Sequence, residues 1–329
     1  MDAFDGGAGF DEEPEPHALY AAAYHHATSD EHEPNIIRHR MVDSAMLRIG
    51  ANSHGESSVR MLRVVRRGDR HDARDLTVTC RFEGSFAEAF VDGHAEGLPP
   101  AEALKSLVYA LARPHASAEI ERFGLAISER LLTDHPRIAR ARVEIAEQPW
   151  NRLEMGGKAQ GQAFLRGTPE RRTAAITSNG THVAVVSGIE HLTIMRTSGF
   201  APTERGTPSS DPTGVDDGLQ ALLVATLSAR WTYTSPHVTF GPYRQGVRTA
   251  IVETFGFHAI RSVQHTLYRI ADVVLSSYEE ISDITLSLNE LPYRPADLFR
   301  AGLENPDDLF VAHEAPTALV EVTVEREAV

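Results

Sequence analysis

The segment HPRIARARVEIAEQPW, residues 135–150, is the strongest indication of the fold, because the chain repeats its pattern as YEEISDITLSLNELPY at residues 278–293. A shift of 143 positions superposes the two stretches without a gap. Apolar residues fall on alternate positions in both, which is typical of a β-strand with one buried face. Both stretches also end in Glu-x-Pro followed by an aromatic residue, and alternation alone does not explain that ending. We therefore predict an internal duplication.

The elements around these two strands recur in the same order. Two alternating runs joined at Gly68-Asp69 predict a hairpin. Apolar residues at three- and four-residue steps then predict two helices, over Pro99–Pro114 and Ala118–Asp134. GQAFLRG and RRTAAITS, between residues 161 and 178, are expected to supply the strand that pairs with the first stretch. The same order of patterns returns in the second half, which contains a loop rich in Gly, Pro, Ser and Asp at about 201–217.

This order indicates the α+β class, with two tandem domains that each have an antiparallel sheet and two helices on one face. We place the domains at residues 46–178 and 179–329. Residues 1–45 are expected to form a flexible acidic tail, because they have no sustained apolar period. Such domains leave open sheet edges, and open edges are usually closed by pairing. A barrel-like homo-oligomer is therefore the expected assembly.

Composition excludes several kinds of function. A net charge of −14 repels phosphate backbones and anionic lipid, so neither nucleic acid nor a membrane is an expected partner. No apolar run approaches the roughly 20 residues that cross a bilayer. The acidic N-terminal residues do not resemble a secretory signal, and a cytoplasmic location is the expectation. The sequence contains no glycine-rich phosphate loop, CxxC pair or HExxH motif, so we expect neither a metal nor a nucleotide cofactor.

Several other segments, taken together and in order, resemble the uricase (urate oxidase) family over about residues 50–326. They include SSVRMLRV from Ser57, KSLVYA from Lys105, IERFGLAISERLL from Ile120, HLTIMRTSGF from His191 and ETFGFHAIRSVQHTLYRIADVVL from Glu253. The resemblance implies the tunnel fold, two such domains in each chain, and a homotetramer with active sites at subunit interfaces. It also implies that molecular oxygen oxidises a purine without any cofactor, while the protein deprotonates, positions and stabilises the ring.

The resemblance implies that part of the substrate site is retained. The valine-glutamine pair that holds the purine edge falls on Val263 and Gln264, and an amide can both donate to and accept from such an edge. The stacking phenylalanine falls on Phe200, whose alternative role is an ordinary apolar contact. These residues imply that the site binds a flat heterocycle.

Most groups that do the family's chemistry are replaced. Glu56 stands in the place of the lysine of the proton-transfer dyad, and Ala101-Glu102 replaces a threonine-aspartate pair. Ala221 replaces the arginine that binds urate, and Glu290-Leu291-Pro292 replaces the Asn-Lys-His motif that holds oxygen. Loss of one positioned proton-transfer group costs about 10²–10⁴-fold, and groups that act as a unit fail together. Efficient urate oxidation is therefore not expected.

Two functions remain open. In the first, a diverged enzyme binds a purine-like ring less anionic than urate, and Glu56, Glu102 and Glu290 are candidate catalytic carboxylates for cofactor-free oxidation or hydration of that ring. In the second, the chain is a catalytically inactive paralogue, either a ligand-binding module or a structural partner of a second uricase-like chain. For each carboxylate, an ordinary solvated glutamate is the alternative. We favour the enzyme, with molecular oxygen as co-substrate if it is an oxidase.

Overall fold

A computed structural model of the chain describes residues 48–116, 119–197, 222–258, 262–306, 308–313 and 318–327. The described residues from Ile49 onward belong to one compact unit. The tail predicted at residues 1–45 lies outside the described residues. Within the described ranges, no helix combines the length and the apolar character that crossing a membrane requires.

A single sheet of eight strands runs through both halves of the chain, and each pair of neighbouring strands is antiparallel. In spatial order, and numbered by position along the chain, the strands are His54–Arg67 (β1), Arg70–Gly84 (β2), Ile138–Gln148 (β3), Arg171–Ser178 (β6), Val183–Arg196 (β7), Leu223–Tyr233 (β8), Ile281–Glu290 (β9) and Leu319–Glu325 (β12). The remaining strands form two small sheets, Trp150–Met155 (β4) with Lys158–Arg166 (β5) and Tyr293–Pro295 (β10) with Phe310–Ala312 (β11).

One predicted strand pairing is wrong. The segment GQAFLRG, expected beside the strand at 138–148, belongs to β5 and pairs with β4 instead. Gly156 and Gly157 have φ angles of 58° and 73°, so the chain turns back immediately after β4 and the two strands pair locally. The segment RRTAAITS forms β6 and alone supplies the predicted partner of β3.

The four longer helices among the described residues pack on one face of the eight-stranded sheet. All five α-helices of the described ranges are Ala87–Val91 (α1), Ala101–His115 (α2), Ile120–Asp134 (α3), Phe240–Phe257 (α4) and Val263–Ser277 (α5). Their apolar stripes and the alternate strand residues that face them form one continuous core. The opposite face carries polar residues such as Thr77, Arg230 and Asp283. Helix α2 ends at His115, one residue beyond the predicted Pro114, which is within the usual variation at helix ends.

The predicted duplication is visible in the bounds of the elements. Helices α3 and α5 begin at residues 120 and 263 and end at residues 134 and 277, so both bounds differ by the 143 positions found in the sequence. Strands β3 and β9 begin at residues 138 and 281, with the same spacing. Ile127 and Ile270, one on each helix, are both fully buried. The two halves therefore bury equivalent residues, as copies of one unit should.

The first strand of each half carries a second sign of the duplication. A bulge interrupts the pairing of β1 with β2 after Glu56, and a bulge interrupts the pairing of β7 with β8 after Ile189. Each bulge contains a residue other than glycine in the left-handed region, Ser58 with φ of 58° and His191 with φ of 59°. No other described residue except glycine has a positive φ. Glu56 and Ile189 therefore occupy equivalent positions.

The two halves share the sheet, and its ends stay open within the described chain. Strands β6 and β7 pair across residues 178 and 179, where the predicted domain boundary falls, and the division into two domains stays a prediction. Strands β1 and β12 are the two edges of the sheet. Each edge presents backbone donors and acceptors that a further strand could pair with.

Candidate functional site

The start of β1 and the first turn of α2 bring Glu56 and Glu102 together around Lys105. The ammonium nitrogen of Lys105 lies 3.3 Å from Glu56 Oε1 and 3.0 Å from Glu102 Oε1. Its hydrogen bonds to Glu102 and then to Glu56 raise the pKa of Lys105, so the group remains a cation. The Glu56 side chain is 21% exposed, against 84% for Glu102. Glu56, Glu102 and Lys105 are called the first half-site.

Local sequence explains this position. Pro100 has extended dihedrals and precedes α2, which starts the helix beside the bulged part of β1. Glu102 lies in the first turn, where a negative charge is favourable. Cys80 lies opposite Glu56 in the sheet, but burial raises the pKa of its thiol to about 12, so it remains a protonated core residue.

The N-terminus of α5 carries Val263 and Gln264. Ser262 caps this helix, because its Oγ accepts a hydrogen bond from the backbone N–H of His265 at 3.1 Å. Val263 packs partly against the core, whereas Gln264 is exposed. The cap fixes the start of the helix and leaves the Gln264 amide available to a ligand or a second chain.

A corner between α4 and α5 supports this helix start. Arg196, the last residue of β7, donates from Nη1 to the carbonyl oxygens of Phe255 and His258 at 2.8 and 2.5 Å. His258 Nε2 and His265 Nδ1 are 3.2 Å apart. Sequence reasoning missed these residues, and only the spacing of seven between the two histidines hinted that they could meet. Among the described residues, no group of three or more His, Cys, Asp or Glu side chains could hold a metal ion.

The end of β9 places Glu290 at the same end of the sheet as Gln264, because α5 and β9 run in opposite directions and pack together. The backbone N–H of Glu290 donates to Ala318 O at 3.0 Å, and that of Leu291 donates to Val224 O at 2.8 Å. Val263, Gln264 and Glu290 are called the second half-site. Phe200 and Ala221 lie outside the described residues.

The structure does not bring all the candidate residues together within one chain. Glu56 lies on the edge strand β1, whereas Glu290 lies on β9, and five strands separate these two strands in the sheet. At about 4.8 Å per strand, the two half-sites are roughly 30 Å apart along the sheet. Glu56 and Glu102 are neighbours in the first half-site, and Gln264 and Glu290 lie at the same end of the sheet in the second half-site.

The contact between the two halves inside the chain is built from residues equivalent to parts of the two half-sites. By the spacing of 143, Glu121 at the start of α3 is equivalent to Gln264, and Arg244 in the second turn of α4 is equivalent to Ala101. Glu121 is fully buried and accepts a hydrogen bond from Ser187 Oγ on β7, and its Oε2 lies 3.9 Å from Arg244 Nη1. Glu121, Ser187 and Arg244 are called the repeat junction.

Comparisons with known proteins agree with this architecture. The uricase family model matches residues 52–177 and 185–321. A uricase from Arthrobacter globiformis is 29% identical over 279 residues, which cover 85% of this chain and 90% of that protein. A uricase from Dictyostelium discoideum is 26% identical over 280 residues, which cover 84% of this chain and 96% of that protein.

Solved structures show the same likeness. The crystal structure of uricase from Arthrobacter globiformis has a TM-score of 0.78 at 29% identity, covering 87% of this chain and 97% of that chain. A uricase structure from Bacillus fastidious, at 16% identity, shares the fold with a TM-score of 0.68 and covers 85% of this chain and 94% of that chain. The predicted α+β tunnel fold is confirmed. Because the family model matches most of its length, the chain belongs to the uricase family.

Proposed function

We propose that this chain binds a purine-like heterocycle at a site completed between two copies, where the first half-site of one copy meets the second half-site of the other. The repeat junction carries this proposal. There the helix start of one unit contacts the first strand and first helix of the next unit, through Glu121, Ser187 and Arg244. The same packing between two copies sets Gln264 of one beside Ala101 and Glu102 of the other.

The open edges of the sheet favour this assembly. Within the chain, β6 of the first half pairs with β7 of the second half. Strand β12 is the edge of the second half and β1 is the edge of the first half, so a β12–β1 pair between copies repeats that arrangement. We therefore expect a homo-oligomer, and the family resemblance implies that it is a homotetramer.

The charges of the two half-sites favour a ring less anionic than urate. Together they contain three carboxylates, Glu56, Glu102 and Glu290, and one ammonium, Lys105. A purine that carries no net negative charge avoids repulsion from this set. The Gln264 amide supplies a neutral donor and acceptor for its edge.

We assign Glu56 the role of base and Lys105 that of charge stabiliser. Glu56 is the less exposed carboxylate of the first half-site, and Lys105 Nζ beside it can stabilise negative charge that develops on the ring. In an oxidase, the deprotonated ring gives two electrons to molecular oxygen, which takes up two protons and leaves as hydrogen peroxide. In a hydratase, water adds across a ring double bond without a redox change.

Purine binding to the full chain tests this proposal. Calorimetry with hypoxanthine, xanthine and urate should show the neutral rings binding more tightly than urate. Gln264→Ala should weaken binding by at least about tenfold, because it removes two hydrogen-bonding groups. Gln245→Ala is the matched control, an exposed glutamine in the first turns of α4. If none of these purines binds, the proposal is overturned.

A catalytically inactive paralogue is the second candidate. It is favoured by the first turn of α2, where Ala101 offers no hydroxyl to relay a proton, and by Pro292 after β9, which has no N–H. Absorbance and oxygen uptake separate the two candidates. Purine binding without turnover supports the inactive paralogue, and turnover that Glu56→Gln abolishes supports the enzyme. Co-purification of a second uricase-like chain identifies the structural-partner form.

A further inference from the structure

We propose that this chain binds a compact oxyanion in an arginine-lined cleft between its two halves. The cleft has a volume of about 580 Å³ and lies between residues 167–172, which lead into β6, and the first turns of α4 from Gly241 to Arg248. Arg172, Arg244 and Arg248 line it, with Glu170 as the one lining carboxylate. It lies apart from both half-sites and does not depend on the purine proposal.

Two of the three lining arginines keep donors for a ligand. Arg248 is held by Glu170, because its Nε and Nη2 donate to that carboxylate at 2.7 and 2.8 Å. Arg172 lies 3.5 Å from Glu147, and Arg74 holds that carboxylate more closely at 2.6 Å. Arg244 Nη1 is buried and makes no hydrogen bond within the described residues. A bound oxyanion satisfies such donors with short, charge-assisted bonds.

Arg172 and Arg244 also repel each other. Burial and then the charge of Arg244 lower the pKa of Arg172, which means that two like charges lie close together in a partly dry cleft. The Arg244 side chain is only 15% exposed. An anion between these guanidinium groups removes the repulsion, and the planar guanidinium fork matches the geometry of an oxyanion.

At least one oxygen of each carboxylate around the cleft already accepts a hydrogen bond, whereas Oε2 of Glu121 and of Glu147 is buried and accepts none within the described residues. Glu119 accepts a hydrogen bond from the backbone N–H of Gly241, and Glu121 accepts one from Ser187. Glu147 is bound by Arg74, and Glu170 by Arg248. Burial also raises the pKa of Glu121, which weakens its hold on Arg244 as an anion. Arg244 Nη1 therefore keeps an unfilled donor, and Arg172 reaches Glu147 Oε2 only at 3.5 Å.

The duplication explains why the ligand is compact and not a flat ring. By the spacing of 143, Arg244 and Arg248 at the cleft are equivalent to Ala101 and Lys105 at the first half-site. In the first half, however, β1 and β2 are joined by a tight turn at Gly68, whose φ is 58°. The second half has a long segment between β7 and β8 at the corresponding place. The first half therefore has only a tight turn where the second half has a long connection between its strands.

Calorimetric titration of the full chain with inorganic phosphate tests this inference. At constant ionic strength, phosphate should bind saturably and raise the thermal unfolding temperature of the wild-type protein above its value in chloride. Acetate, tested in parallel, should compete but bind more weakly if the site prefers a doubly charged oxyanion. Arg244→Gln and Arg172→Gln should each weaken phosphate binding by at least about tenfold.

Arg230→Gln is the matched control, because it removes the same charge from the opposite, polar face of the sheet. It should leave phosphate binding unchanged. An equal loss in this control shows attraction by net charge alone and overturns the inference. The inference is also overturned if phosphate gives the wild-type chain neither a saturable heat of binding nor a higher unfolding temperature. This result does not depend on whether any variant folds.

Discussion

The repeat junction and the second half-site are built from equivalent parts, yet one is closed and the other is open. At the junction Glu121 is fully buried against Ser187 and Arg244, all within one chain. At the start of α5 the equivalent Gln264 is exposed. The same helix start is therefore part of the core in one half and available for binding in the other. Duplication thus supplies a structural contact in one half and, as we propose, a recognition site in the other.

The largest expected effect tests whether the two halves are equivalent in their cores. Ile127→Ala and Ile270→Ala each remove a fully buried side chain from the same helical position. Each should lower the free energy of unfolding by about 2–5 kcal/mol, because each loses buried apolar area and leaves a cavity. Denaturant unfolding measures both. A cost in one helix and none in the other would contradict the equivalence.

The next effect compares the closed contact with the open one by replacing Glu121 and Gln264 with the same residue, leucine. Glu121→Leu should lower the free energy of unfolding by about 1–3 kcal/mol, because it leaves Ser187 and Arg244 without their buried partner. Gln264→Leu should change it by less than about 0.5 kcal/mol, since that side chain is exposed. Similar values for both variants would mean that the two positions have the same surroundings.

The pH dependence of the free energy of unfolding distinguishes the buried Glu121 from an exposed glutamate. Burial raises the pKa of Glu121 in the folded chain, so the folded state holds more protons than the unfolded state. The free energy of unfolding should therefore fall as pH rises from about 4.3 through the raised pKa. Glu121→Gln should remove this fall, whereas Glu129→Gln, an exposed position on the same helix, should keep it. Denaturation at several pH values gives the slopes.

The smallest effect concerns the paired bulges. Ser58→Gly should stabilise the chain by about 0.5–1 kcal/mol, because glycine adopts the left-handed backbone without strain. His191→Gly should gain less, since it also removes the 3.2 Å contact between His191 and Arg171. Thermal unfolding of both variants measures the difference. A larger gain at His191 would show that its contact contributes nothing.

Much of the fold could be predicted because it repeats along the sequence. The shared ending at Glu147 and Glu290 and the common apolar phase of Ile127 and Ile270 locate two copies of one unit from residue types and spacing alone. Period-two alternation identifies strands but not their partners, and for that reason it places GQAFLRG in the wrong sheet. Glycine pairs that turn a chain locally decide such cases, as Gly156 and Gly157 do here.

The candidate site could be predicted only where a family pattern fixes residue types. Val263, Gln264 and Glu56 follow from the uricase resemblance, and their roles stay predictions. Contacts between distant elements leave little trace in a single sequence. Lys105 is bound by two carboxylates only because β1 and α2 meet. The cleft between residues 167–172 and α4 likewise joins segments far apart in the chain.

The distance between the two half-sites in the assembled protein shows whether two copies share one site. Spin labels at Glu102→Cys on one chain and Gln264→Cys on another are combined by refolding the chains together. Cys80 stays unlabelled, because burial raises the pKa of its thiol to about 12. The reference is the distance within a doubly labelled chain diluted with unlabelled chains. A site shared between copies gives a mixed-sample distance much shorter than the reference. A distance as long as the reference, or no dipolar coupling at all, would contradict the shared site.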